Sequence, residues 1–184
     1  EGGRYYVKIK DADQVCLMSA ANAEYFLNLN QTMLTNLNAC MINIESVDRL
    51  TLESDGVKME LSISKEEKKN EDSDTTTRVD TYFINGVETD ESNFKSVYQT
   101  VIGLKGEKAL DSQEALETGT QNMAKPEVAM TFYRNTEQLK EVRFELTPYD
   151  SSFYQLSING TPSLLVNKFD VSKIKELVNA EAQK

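Results

Sequence analysis

The sequence contains no histidine among its 184 residues. That absence excludes the Ser-His-Asp and Cys-His catalytic arrangements and every zinc site that needs an imidazole ligand. Tryptophan, which often anchors ligands and protein partners, is also missing. No apolar stretch approaches the roughly 20 residues that a membrane-spanning helix requires. We therefore predict that the chain is not an enzyme and that it holds no cofactor and no metal.

Basic charge is scarce in this sequence. The chain has 20 Lys and Arg against 30 Asp and Glu, for a formal net charge of −10. A surface of this sign repels phosphate backbones and adheres poorly to anionic lipid. The nearest approach to a basic patch, residues 65–69, is interrupted by Glu66 and Glu67. We predict neither nucleic-acid binding nor direct membrane binding by this domain.

The chain has two cysteines, Cys16 and Cys40, too few for a four-ligand metal site. A disulfide between them is one interpretation. The other, which we favour, is that both are buried thiols that act as small apolar residues.

Alternating apolar residues predict a mostly antiparallel α+β fold. The clearest hairpin joins residues 47–53 to residues 57–65 through the turn signal Asp55-Gly56. A helix follows Asp90 and a last helix covers about 171–180 after Asp170, because both aspartates suit an N-cap. Further strands are predicted at 4–10, 14–19, 79–85, 128–133, 141–147, 153–158 and 163–167, and a first helix at about 20–37. We predict one compact domain, residues 1–184, with about three helices packed on its strands.

Two stretches lack a clear pattern. Residues 66–77 contain no apolar side chain and are predicted to form an exposed loop. Their acidic part, residues 70–74, has no glycine to make the sharp turn of a calcium loop, so a solvated loop is the better interpretation. Residues 107–125 are predicted to hold a short helix near 112–117 and then a loop.

Parts of the sequence resemble each other. Residues 5–26 and 154–175 share an aromatic-led strand, a turn, a second strand and a helix, and residues 81–104 repeat part of this plan. Ile84-Asn85-Gly86 is similar to Ile158-Asn159-Gly160. We predict pseudo-repeated β-β-α units in two related parts, about 4–104 and 105–184. Chance agreement between alternating strands is the alternative.

Tyrosines and paired carboxylates are the candidate functional side chains. Tyr5, Tyr6, Tyr82 and Tyr154 are predicted ligand or partner contacts, with cross-strand packing as the alternative. The pairs Glu53/Asp55 and Asp90/Glu91 have the composition of a glycosidase site. A hairpin turn and a helix cap explain them equally well.

The chain resembles a bacterial family catalogued as domain of unknown function 4340. The motifs are the tyrosine-led strand pair at 5–10 and 15–17, residues 47–52 before the hairpin, the strand and helix of 80–104, and Lys125-Pro126 before residues 128–131. A second tyrosine-led strand pair follows. The resemblance implies an extracytoplasmic domain tethered by a lipid or an N-terminal membrane segment. It also implies association with ABC-transporter components of the gliding-motility type, and no catalytic residues.

Three functions remain open, and each makes a different structural demand. A non-enzymatic extracytoplasmic interaction domain, with a protein partner in or at the membrane, needs an exposed apolar patch. A lipoprotein that binds a small ligand needs a tyrosine-lined cleft with a few convergent polar groups. A hydrolase that uses carboxylates alone needs two of them in a cleft, at least one with a raised pKa.

Overall fold

The computed structural model describes residues 3–8, 10, 13–27, 37–38, 40–69, 76–110 and 125–181. The chain divides into two units, residues 1–36 and residues 37–184. Among the described residues, no helix has the length and apolar character to cross a membrane. The predicted helix at 112–117 lies outside the described residues, as does the predicted helical stretch beyond residue 27.

The first unit is a strand pair followed by a helix. Strands β1 (Arg4–Lys8) and β2 (Val15–Ser19) pair antiparallel, with Tyr6 opposite Leu17. Helix α1 (Ala20–Leu27) follows β2 directly, and the Ala20 N–H donates to the Gly3 carbonyl at 2.9 Å. The two predicted strands and the start of the predicted helix are confirmed.

The second unit contains one nine-stranded sheet in the order β6-β5-β4-β3-β8-β9-β10-β11-β7, and every neighbouring pair is antiparallel. Its strands are β3 (Val47–Ser54), β4 (Val57–Lys69), β5 (Thr76–Ile84), β6 (Val87–Thr89), β7 (Gly106–Ala109), β8 (Val128–Arg134), β9 (Glu141–Pro148), β10 (Phe153–Ile158) and β11 (Thr161–Asn167). Helices α2 (Glu91–Ile102) and α3 (Lys168–Glu181) and a 3₁₀ turn (Ile44–Ser46) complete it. The prediction of a mostly antiparallel α+β fold with about three helices is confirmed for the described residues.

The period of two along each strand gives the sheet an apolar inner face and a polar outer face. Helices α2 and α3 pack on the inner face, where one core cluster joins them to the strands. Aromatic rings contact one another within this core. The distance between ring centroids is 4.9 Å for Tyr82 and Phe94, 6.2 Å for Tyr98 and Phe132, and 5.6 Å for Phe132 and Phe144. On β3 and β4, the outer face carries charged and hydroxyl side chains such as Arg49, Thr51 and Glu60.

Three hairpins close with type I′ turns. Asp55-Gly56, Asn85-Gly86 and Asn159-Gly160 all have positive φ at both positions, between 49° and 81°. The two asparagines also clamp the neighbouring strand. The Asn159 N–H donates to the Arg143 carbonyl at 2.8 Å, and its side-chain oxygen accepts the Arg143 N–H at 2.8 Å. Asn85 makes the same pair of bonds with Glu60.

Three local predictions need correction. The predicted loop 66–77 is shorter, because β4 continues to Lys69 and β5 begins at Thr76, with Glu67 opposite Arg78. Polar strands of this kind lack the apolar alternation that identifies a strand. Strand β7 was not predicted for the same reason. Asp170 does not cap α3, which begins earlier; the Asn167 side chain accepts the Phe169 N–H at 2.9 Å. The single-domain prediction for residues 1–184 stays a prediction.

Replacing Asn159 tests the clamp. Asn159→Gly keeps the positive φ and removes the acceptor for the Arg143 N–H, so we expect a loss of about 1 kcal/mol in the free energy of unfolding. Asn159→Ala should lose about 1 kcal/mol more, because alanine tolerates φ near 50° poorly. Urea denaturation measures both values. Equal stability of the wild type and both variants would show that the clamp contributes nothing.

Candidate functional site

An apolar groove lies between residues 41–44 and helix α2. Its volume is about 430 Å³. The lining residues are Met41, Ile42, Asn43, Ile44, Lys95, Tyr98, Gln99 and Ile102. Met41 is 70% exposed at its edge. We call this feature the Met41 groove.

Helix α2 forms one wall because of its amphipathic spacing. Asp90 caps the helix by accepting the Asn93 N–H at 2.9 Å, which confirms the predicted N-cap. Its buried side turns toward the sheet with Phe94, Val97, Tyr98 and Val101. Lys95, Gln99 and Ile102 therefore share the flank that faces residues 41–44.

Hydrogen bonds hold the other wall in place. The Tyr98 hydroxyl donates to the Ile42 carbonyl at 2.8 Å, and burial raises the pKa of this phenol. The side chain of Asn43 accepts the Glu45 N–H at 3.0 Å and so caps the 3₁₀ turn. Cys40, immediately before the groove, is fully buried. These hydrogen bonds hold the backbone of residues 42–45 against helix α2.

Paired charges lie beside the groove. Lys95 binds Glu91 at 2.5 Å, and Arg78 bridges Glu45 at 3.1 Å and Asp80 at 2.6 Å. Tyr82 lies among these groups, and its pKa is raised by burial, then by the charges of Glu91 and Asp80. Ion-paired side chains of both signs therefore border the apolar wall.

A second depression, the polar hollow, lies on the outer face of the sheet and has a volume of about 390 Å³. Thr51 and Thr131 lie opposite each other on neighbouring strands at its floor. Thr131 is only 5% exposed, and no described residue bonds to either hydroxyl. The residues around the hollow form three ion pairs: Arg49–Glu60 at 3.8 Å, Lys58–Glu53 at 3.7 Å and Arg143–Glu145 at 3.0 Å. Arg49 also stacks on the ring of Tyr133.

A third cluster surrounds Glu127. Its carboxylate accepts the Tyr154 hydroxyl at 2.6 Å and binds Lys175 at 2.5 Å, and Lys175 also reaches Asp55 at 3.4 Å. The Lys175 bond and then the Tyr154 bond lower the pKa of Glu127. The cluster ties α3 to the sheet at the β3–β4 turn.

Two carboxyl groups have a lowered pKa. Hydrogen bonds from Lys65 and Lys175 are the chief causes for Asp48 and Glu127, respectively. A general acid needs a raised pKa. The described residues also contain no group of three or more Cys, Asp or Glu side chains arranged to hold a metal.

The four predicted tyrosines lie on three different strands. Tyr5 and Tyr6 lie on β1 of the first unit and are 43% and 82% exposed. Tyr82 lies beside Phe94 of helix α2, and Tyr154 lies in the Glu127 cluster. Tyr82 and Tyr154 are on strands that are five strand spacings apart in the sheet. Their roles as ligand or partner contacts stay predictions.

Both cysteines are free thiols in the structure. Burial raises the pKa of Cys40 to about 12, which makes this thiol unreactive. Cys16 is exposed on β2. The interpretation of two buried thiols is therefore right for Cys40 and wrong for Cys16, because β2 belongs to a two-stranded sheet with little core.

Sequence reasoning did not find the Met41 groove. The available signal was the short apolar stretch 41–44, with Asn43 as a capping residue inside it. Comparison of the chain with protein-family models, with curated proteins and with solved structures gave no match.

The Glu127 cluster predicts a pH dependence. Since the folded-state pKa of Glu127 lies below its usual value of 4.5, the cluster stabilises the fold above pH 4.5 and loses this effect as the pH falls through the lowered pKa. Glu127→Gln should reduce stability at pH 7 by less than about 1 kcal/mol, because the carboxylate is partly exposed. It should also flatten the stability profile below pH 4.5. Urea unfolding at several pH values measures this, and a profile identical to the wild type would contradict it.

Proposed function

We propose that this chain is a non-enzymatic accessory domain of a membrane-tethered bacterial protein, located outside the cytoplasm, that binds a protein partner through the Met41 groove. The carrying observation is the exposed apolar wall of this groove, with Met41 at 70% exposure. A polar rim around exposed apolar surface is typical of protein-binding sites. Methionine suits such a surface because its side chain is flexible and polarisable.

The resemblance to family 4340 supports the location and the partner class. It rests on motifs spread over residues 5–131, together with the second tyrosine-led strand pair. On this basis we propose a lipid or membrane tether outside these 184 residues and a partner among ABC-transporter components. The net charge of −10 is consistent with a domain held near the membrane by its tether and not by lipid contact.

We also propose that the nine-stranded sheet of the second unit is built from two related halves. Strands β3 to β6 followed by α2, and strands β8 to β11 followed by α3, have the same element order. They meet where β3 pairs with β8. The matching clamps of Asn85 and Asn159 support this proposal, because an asparagine makes the same two bonds in each half of the sheet.

The chemistry of the groove restricts its partner. The apolar wall fits an aliphatic or aromatic side chain of the partner, and the polar groups of Asn43, Lys95 and Gln99 are available to its backbone or polar neighbours. Burying Met41 on binding would contribute about 1.5–3 kcal/mol, which corresponds to roughly tenfold or more in affinity.

A crosslinking experiment tests the groove. A photoreactive residue at the exposed Gln99 of the tethered, full-length protein should capture a membrane protein in cells. Met41→Asp should reduce this crosslink about tenfold, because it places a charge on the apolar wall. Leu139→Asp is the matched control, since Leu139 is 64% exposed and does not line the groove. The captured partner must then bind the purified chain with the same variant dependence; equal capture by the Met41 and Leu139 variants would overturn the proposal.

The two thiols allow a test of location. A membrane-impermeant maleimide should label Cys16 in intact cells that carry the tethered protein, because Cys16 is exposed. Cys40 should react only after denaturation, because it is buried. Cys16→Ser is the control and should abolish labelling of the folded protein. Labelling that appears only after the cells are lysed would place the domain in the cytoplasm.

The polar hollow favours a second candidate function, the binding of a small polar ligand. The unpartnered hydroxyls of Thr51 and Thr131 converge there with charged side chains at the rim. Thr131→Val changes the hollow and leaves the Met41 groove intact. The groove proposal therefore expects partner capture at Gln99 to survive Thr131→Val and to fall with Met41→Asp.

A further inference from the structure

Strand β5 has an incompletely covered edge. It contains nine residues, and β4 pairs with all of them on one side. On the other side, β6 pairs only with Tyr82, Phe83 and Ile84. No described strand pairs with residues 78–81 on that side. Within the part of the chain that the structure describes, these residues therefore form a sheet edge without a neighbouring strand.

The hydrogen-bond pattern shows which backbone groups face outward. The Asn85 N–H donates to the Glu60 carbonyl, which makes these two positions a hydrogen-bonded pair. Such pairs alternate along an antiparallel ladder, so positions 83, 81, 79 and 77 bond to β4. The N–H and C=O groups of Arg78 and Asp80 consequently point away from β4, toward the open edge.

The side chains of this edge are self-complementary. Arg78 and Asp80 lie on the inner side of β5 and bind each other through two hydrogen bonds of 2.6 and 2.8 Å. Val79 lies between them on the outer side and is 37% exposed. If a second copy pairs antiparallel about Val79, each Arg78 lies opposite the other copy's Asp80, and the two Val79 side chains lie opposite each other. Opposite charges and apolar pairs across strands are both stabilising.

Other registers are less favourable. Pairing centred on Arg78 would place two arginines directly opposite each other, which is destabilising. A register shifted by one residue would need the N–H and C=O groups of Val79 to bond to the second copy. These groups already bond to β4. Pairing also cannot extend past Thr81, because β6 occupies the edge from Tyr82 onward. The register about Val79 is thus selected by charge, by backbone direction and by space.

We propose that the chain forms a symmetric homodimer by antiparallel pairing of residues 78–80 of two β5 edges. The sheet then continues from one copy into the other. Charged residues on an edge strand usually discourage pairing. Here their order along the strand makes them complementary to a second copy in one register. The paired segment is small beside a standard interface of about 1,600 Å², so we expect a weak dimer with a dissociation constant on the order of 0.1–1 mM.

Charge reversal gives a matched set of variants. Arg78→Asp makes both edge charges acidic, and Asp80→Arg makes both basic, so each variant should self-associate about tenfold more weakly or worse than the wild type. A mixture of the two variants should form heterodimers, because the acidic edge of one faces the basic edge of the other. The double variant R78D/D80R should restore self-association. Sedimentation equilibrium of the 184-residue chain up to about 1 mM measures all four samples.

Proline variants separate pairing from folding. Asp80→Pro removes an outward-facing N–H and leaves the bonds to β4 intact, so the thermal transition should be nearly unchanged while dimerisation is lost. Val79→Pro removes an N–H that bonds to β4 and should destabilise the hairpin itself. The proposal is overturned if the wild type stays monomeric up to about 1 mM, or if the mixed charge variants do not associate.

Discussion

Strands β3 and β8 pair over seven positions, although about 80 residues of chain separate them. This pairing joins the strands that precede α2 to the strands that follow residue 127, and no other strand pair does so in the described part of the sheet. Leu50 lies opposite Phe132 and Leu52 opposite Met130, and all four side chains are essentially fully buried. Truncating one such side chain typically costs 2–5 kcal/mol, a large part of the stability of a domain. The continuity of the sheet, and the position of α3 across β3, β4, β10 and β11, depend on this junction.

The alternation of side chains along each strand then decides the chemistry of each surface. Inward-facing Leu50, Leu52, Met130 and Phe132 belong to the apolar core, while outward-facing Thr51 and Thr131 form the floor of the polar hollow. The Met41 groove has a different origin. The most apolar side of helix α2 packs on the sheet, and its flank contacts residues 41–44. Hydrogen bonds of Tyr98 and Asn43 hold these residues in place. Met41 stays 70% exposed at this surface.

Local features could be predicted from the sequence, and long-range ones could not. Asp55-Gly56, Asn159-Gly160 and Asp90 act through residues within a few positions, so their turn and cap signals were sufficient. The order of the nine strands depends on pairings such as β3 with β8, which no local pattern encodes. The Glu127 cluster brings together residues 55, 127, 154 and 175 from four elements. Strand β7 and the outer part of the β4–β5 hairpin were missed because polar edge strands need no apolar face.

The outer part of the β4–β5 hairpin has two edges, and the structure treats them differently. On the β3 side, Lys65 donates to the Val47 carbonyl at 2.7 Å and to Asp48 at 2.8 Å, so its side chain occupies the place of a further strand. On the other side, no described strand pairs with the edge of Arg78 and Asp80. Arg78 also binds Glu45, the residue after Ile44 of the Met41 groove. If the proposed partner displaces Arg78 from Glu45, the proposed partner binding and dimerisation would be linked, and by reciprocity each would change the affinity of the other by the same factor.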